Sequence, residues 1–106
     1  MDYSKLSDFE INCEVSKLTR DNANNPDSGY LVINDYCNNP ADAWPIIVDN
    51  LLRMTPVVHH GSVSWIACRG DYGVSHENPL RAAMIVFLMM QESDNVQANP
   101  ARPDIR

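Results

Sequence analysis

From Asn78 to Met90 the chain carries an asparagine, a proline and then, after Leu80 and Arg81, nine consecutive residues (Ala82 to Met90) with no polar side chain. Asparagine followed by proline is a helix start: the Asn78 side chain can accept from free amides of the first turn, and Pro79 has no amide to leave unpaired. An amphipathic helix would show a polar stripe at a period of 3.6, and this one shows almost none. It must therefore be covered nearly all round. Nine apolar residues fall far short of the roughly 18 needed to span a bilayer, so the covering has to come from protein. In a chain of 106 residues that means one core, with this helix at its centre.

The remaining segments have the right character to wrap it. Ser7-Asp8-Phe9-Glu10 has the spacing of a capping box, with Leu6 and Ile11 at the two staple positions. The first helix should run from there to about Arg20, with Ile11, Val15 and Leu18 on its packed face. Asp21 to Gly29 is rich in Asn, Asp, Pro and Gly and is a loop. Tyr30-Leu31-Val32-Ile33 suits a short strand ending near Asn34. At Asn39-Pro40-Ala41-Asp42 a second helix starts by the same cap-plus-proline device. Ile47, Val48, Leu51 and Leu52 should be its core stripe. Pro45 removes an amide one turn in, which predicts a distorted first turn or a later start that fixes Trp44 in position.

Val57 to Cys68 is expected to form a β-hairpin turning at His60-Gly61, with Val63, Trp65 and Ala67 on one face and Ser64, Ile66 and Cys68 on the other. Arg69 to Glu77 is then a nine-residue loop, long enough to be a place for function. The expected fold class is α+β, with three helices layered on a small, mainly antiparallel sheet in the order helix, strand, helix, hairpin, helix. Residues 1–90 form the single domain, and 91–106 a polar tail expected to be disordered.

Charge narrows the functional classes. Fourteen acidic residues against eight basic ones, a net charge of −6, oppose the counterion-release attraction behind ordinary DNA or RNA binding. The carboxylates are scattered singly, which favours solubility over mimicry of a nucleic acid. Three cysteines, Cys13, Cys37 and Cys68, are an odd count without Cys-x-x-Cys spacing, so reduced thiols in a cytoplasm are expected rather than a disulfide framework. Met1 to Lys5 lacks the order of a signal peptide.

Residues with chemical potential are few. His59, His60 and His76, with Cys68 and Asp71, are metal-ligand types, but adjacent histidines on a strand point to opposite faces, and no metal or cofactor is expected. Cys68 with His76 would be the pair for nucleophilic attack, although the alternation makes Cys68 a small core residue. Neither phosphate-binding glycine motif is present. The first turn of the third helix offers free amides to an anion, with Arg69 and Arg81 nearby. Trp44 and Trp65 are either core aromatics or a stacking platform. The candidate ligand-binding residues are accordingly Trp44, Arg69, Tyr72, His76, Asn78 and Arg81.

Three segments, Leu6 to Asn12, Asn38 to Val48 and Asn78 to Leu88, taken in that order, resemble the NinX-like family of small tailed-phage proteins. More distantly, the arrangement looks like the phage ABA sandwich domains. The resemblance implies a phage or prophage accessory product acting in the bacterial cytoplasm, and it carries no catalytic residues with it. A non-enzymatic protein that binds a host protein or a nucleotide-like small molecule, countering host defence, is the expectation that follows. A small enzyme using residues 68–78, or an architectural subunit that self-associates through its apolar third helix, are the alternatives.

Overall fold

The computed structural model describes residues 2–19 and 33–97. A 3-10 turn at Tyr3–Lys5 leads into α1 (Asp8–Thr19), followed by α2 (Pro40–Asp49), β1 (Arg53–His59), β2 (Ser62–Arg69), β3 (Tyr72–His76) and α3 (Pro79–Gln97). The strands form one antiparallel meander in the order β1-β2-β3. The class is α+β, as the segment pattern required. Of the strand expected at Tyr30–Ile33, residues 30–32 lie outside the described residues, and Ile33 to Asp35 are irregular.

The layers follow from α3. It lies across β2 and β3 on one side and carries α1 and α2 on the other. Ala82 to Leu88 are consequently buried without exception. The sheet's inner face adds Ala67, fully enclosed, with Met54, Tyr72 and Val74 packed against the core. Met54, Ala67 and Val74 are register partners across the three strands, so their side chains meet α3 as one row. The helix continues past Met90 to Gln97, so the first residues of the expected tail are helical; residues 98–106 lie outside the described residues. Among the described residues no helix is long and apolar enough to cross a membrane.

Local chemistry sets the ends of each element. The Ser7 hydroxyl accepts from the Glu10 amide at 3.1 Å and the Glu10 carboxylate accepts from the Ser7 amide at 2.8 Å, a complete capping box. The packed face of α1 is Ile11, Asn12, Val15 and Ser16. Leu18, expected on that face, is exposed instead. It lies near the end of α1 beside a groove lined also by Tyr3 and Leu88, while on the other flank the Asn12 side chain accepts from the Cys37 amide and donates to Asp35, so the 35–37 segment covers that side.

In α2 the Asn39 side chain accepts from the Ala41 amide, and the helix begins at Pro40 with no delay. Pro45 therefore sits inside a helix already formed, contrary to expectation. Both Pro45 and Ala41 are exposed, so the Ala41 carbonyl that Pro45 cannot bond is left to water at small cost.

The hairpin turns where His60 and Gly61 predict, with φ of 51° and 81°, the two positive values of a type I′ turn. Its first strand starts earlier than expected, at Arg53, and takes in Pro56, which an edge strand tolerates because one side of it has no ladder to supply. The nine-residue loop expected after Cys68 does not exist. Arg69 pairs with Tyr72 across Gly70-Asp71, and Tyr72–His76 is a third strand. Gly70 has φ of 60°, which places the glycine at the first central position of a tight turn.

Candidate functional site

The head of α3 is a polar clamp. Asn78 caps the helix, its side-chain oxygen accepting from the amides of Leu80 (2.9 Å) and Arg81 (3.3 Å). The other end of the same amide donates to the Cys37 carbonyl at 2.7 Å. Arg81 turns back along the helix to donate to Asp8 Oδ1 at 2.6 Å, the Leu6 carbonyl at 2.6 Å and the Ser4 carbonyl at 3.3 Å. Its side chain is only 10% exposed. Asn38 donates to the second Asp8 oxygen and to Asp35, closing a ring of bonds through Asn12 to the Cys37 amide. These contacts join the entry to α1, the segment before α2 and the start of α3, three pieces far apart in sequence.

Electrostatics in the clamp follow from burial and pairing. Burial works to raise the Asp8 pKa, but hydrogen bonds from Arg81 and Asn38 outweigh it and hold the carboxyl below its usual range. Burial, with Asp8 adding to it, pushes the Cys37 thiol up to about 12, so this cysteine is a neutral core residue rather than a nucleophile. Tyr3 is raised by burial and by the carboxylate of Glu92.

The six candidate residues fall into separate places. His76, Asn78 and Arg81 gather at the clamp, where the His76 ring accepts the Asn78 amide at 2.9 Å through Nδ1. Arg69 and Tyr72 are a cross-strand pair at the other end of β3. Four residues at about 3.3 Å each put the two ends of that strand roughly 13 Å apart. Trp44 stands on α2, exposed. Cys68 and His76 lie on opposite faces of the sheet, since His76 pairs with Trp65 and Cys68 is three residues along β2 from it. Among the described residues no group of three or more His, Cys, Asp or Glu is placed to hold a metal ion.

A different surface carries unexplained features. The buried side of α2 is Ala43, Ile46 and Ile47. Its outward side is Pro40, Ala41, Trp44, Pro45 and Val48, with Asp49 at the end. Trp44 is 61% exposed and Val48 47% exposed. A surface helix normally turns a polar face to water, and this one turns an apolar face both ways.

Leu51, two residues beyond the end of α2, is a further exposed apolar residue with an unusual backbone. The helix ends in a Schellman motif: the Leu51 amide bonds to the Val48 carbonyl and the Leu52 amide to the Ile47 carbonyl. That motif places its last residue in the left-handed region, where glycine is usual. Here Leu51 takes φ of 56° while remaining 68% exposed. A branched residue in that conformation costs about 1–2 kcal/mol.

Beside Leu51 opens a cleft of about 240 Å³ lined by Leu51, Arg53, Cys68, Arg69 and Gly70. Arg53 comes from the start of β1 and Arg69 from the end of β2, where Arg53 pairs with Cys68. Of the cleft residues Cys68 and Arg69 stood out in the sequence. The cross-strand register would have brought Arg53 opposite Cys68, had the strand been traced back beyond Pro56. Leu51 could not be recognised, since its amphipathic position assigned it to the core.

The family model described as "Bacteriophage P22, NinX" matches residues 2–91 of the chain. No curated protein and no solved structure matches it.

Proposed function

Because the chain belongs to the phage P22 NinX family, and is thus a phage accessory protein, we propose that it acts without catalysis, by binding a protein of the bacterial host in the cytoplasm and so countering host defence. The observation that carries this reading is the outward face of α2, where Trp44 and Val48 stand exposed, with Leu51 exposed just beyond the helix end. Exposed apolar surface of this kind is what a protein interface buries, and an exposed tryptophan is the commonest sort of anchor. The placement in a phage accessory family supports a target in the host cell, where such proteins act.

The other readings have less behind them. A nucleotide-like ligand at the head of α3 would need the Arg81 guanidinium and the Asn78 amide, and both are already committed to the clamp. The small enzyme loses its pairing with Cys68 and His76 on opposite faces. An architectural role was suggested by how apolar α3 is, and the sheet, α1 and α2 of the same chain account for that.

The test is affinity purification from infected bacteria with the wild-type protein and with Trp44→Glu. A stoichiometric host protein held by the first and lost by the second is expected. Circular dichroism serves as the control that the variant is folded, since an exposed side chain should not disturb the fold. Equal recovery with both, or thermal shifts with cyclic or ADP-ribose-type nucleotides and no protein partner, would overturn it.

A further inference from the structure

Only Glu77 and Asn78 separate the end of β3 from the start of α3. His76, the last residue of β3, is two residues on from the inward Val74, so its side chain stands on the sheet face turned toward α3. There its Nδ1 accepts from the Asn78 amide at 2.9 Å. A ring nitrogen that accepts carries no proton, so this bond requires a neutral imidazole with its proton on Nε2. Asn78 is the residue through which the clamp passes. Its side-chain oxygen caps α3, and its side-chain nitrogen donates to the Cys37 carbonyl and so ties down the segment before α2. The ionisable groups around the junction are Asp8 at the start of α1, Arg81 on the first turn of α3, Asp35 and Cys37 before α2, and Glu77 beside the ring in the link. β2 opposes His76 with the uncharged Trp65. The Asp8 carboxylate is close enough to be stabilised by a charge on His76.

We infer that His76 is a pH-sensitive latch on the β3–α3 junction, with a partner for each of its two charge states. Neutral, the ring holds the Asn78 amide. Once it takes a proton from solvent at Nδ1 it can only donate, so it releases that amide and turns to the Asp8 carboxylate. Asp8 has room for it: Arg81 holds one oxygen, the other accepts from Asn38 at 3.2 Å, and the side chain is 42% exposed. Histidine is the side chain whose charge ordinarily changes between about pH 5 and 8, and Asp8 and Cys37 are both held away from that range. The two positions oppose each other in stability, because protonation gives up a hydrogen bond and gains an attraction between opposite charges. What changes with pH is therefore the partner of the ring and the freedom of the Asn78 backbone, with the fold retained.

The experiment follows the full chain, nitrogen-15 labelled, by nuclear magnetic resonance of its backbone amides and histidine rings from about pH 8 to pH 5. At the upper end the His76 ring should carry its proton on Nε2. As the ring titrates, the Asn78 amide should move with the same midpoint, and its protection against hydrogen exchange should fall about two- to tenfold, the worth of one modest hydrogen bond. The Asn38 amide, which shares a peptide unit with the Cys37 carbonyl, should follow. His76→Gln keeps an acceptor that does not titrate, at an exposed position where circular dichroism should show the fold intact; in it the Asn78 amide should stay still across the range. In Asp8→Asn the His76 ring should titrate at lower pH, its charged form having lost its carboxylate. A ring protonated on Nδ1 at pH 8, an Asn78 amide that does not move while the ring titrates, or a response that persists in His76→Gln would each overturn the latch. An unchanged ring midpoint in Asp8→Asn would overturn its second position.

Discussion

Replacing Arg81 by methionine tests the reading of the α3 head most directly, because methionine keeps much of the stem's packing and removes only the guanidinium. Three bonds are lost, to Asp8, the Leu6 carbonyl and the Ser4 carbonyl. They are not equal. Ser4 is exposed, so water replaces the donor to its carbonyl and that bond counts for little. The Asp8 side chain is 42% exposed, which discounts the ion pair toward the roughly 0–1 kcal/mol of a surface pair. The Leu6 carbonyl is half-buried and loses a charge-assisted bond of about 1.5–3 kcal/mol. The sum is about 1.5–4 kcal/mol. Urea unfolding should show this as a lower midpoint with an unchanged slope, and thermal unfolding as a fall of about 4–8 °C for each kcal/mol. Arg81→Lys should recover only a fraction, since an ammonium cannot fork between a carboxylate and two carbonyls. A loss below about 0.5 kcal/mol for Arg81→Met, against the several kcal/mol expected of a broken buried network, would refute the reasoning. The guanidinium would then be free to serve a ligand.

Three further outcomes are expected. Leu51→Gly should be more stable than Leu51→Ala by about 1 kcal/mol, the reverse of the order inside a helix, because φ of 56° suits glycine; equal stabilities by urea unfolding would contradict the strained cap. Asp8 has its pKa lowered on folding, so the stability it contributes is present above its unfolded value near 3.8 and is lost as pH falls through the folded value. The gap in midpoint between wild type and Asp8→Asn should therefore close below about pH 4, and a gap constant from pH 7 to pH 2 would show that the carboxylate charge is not what the clamp uses. In native protein a thiol reagent should modify the half-buried Cys13 and Cys68 well before Cys37, which is enclosed and held neutral; labelling of all three at one rate would mean the 35–37 segment opens freely.

Local signals were legible wherever the chemistry is contained within a few neighbouring residues. The Ser7–Glu10 box, the Asn39-Pro40 start and the His60-Gly61 turn each depend on backbone geometry that nearby side chains enforce, and each stands where the residues place it. The central position of α3 was legible for a related reason: a helix with no polar stripe has only one kind of surrounding that suits it. The third strand was missed because Gly70, Gly73 and Ser75 are loop residues by composition. What makes Tyr72–His76 a strand is the free edge of β2 beside it, which no local pattern records.

The candidate site divides along the same line. Sequence by itself singled out Asn78 and Arg81, because a cap and a nearby cation are local features. Only tertiary structure decided what they do, since Asp8, Leu6 and Cys37 are brought to them from 41 to 75 residues away. Sequence likewise fixed that α2 is apolar, but not that half of that apolar surface faces outward. An amphipathic pattern reveals an inside and an outside only when the two differ in polarity. On α2 they do not, so which of Ile47, Val48, Leu51 and Leu52 is buried depended on where α3 lay and on Leu51 turning left-handed at the helix end. The pairing of Arg53 with the β2 end is a consequence of strand register, and register is set by the sheet as a whole.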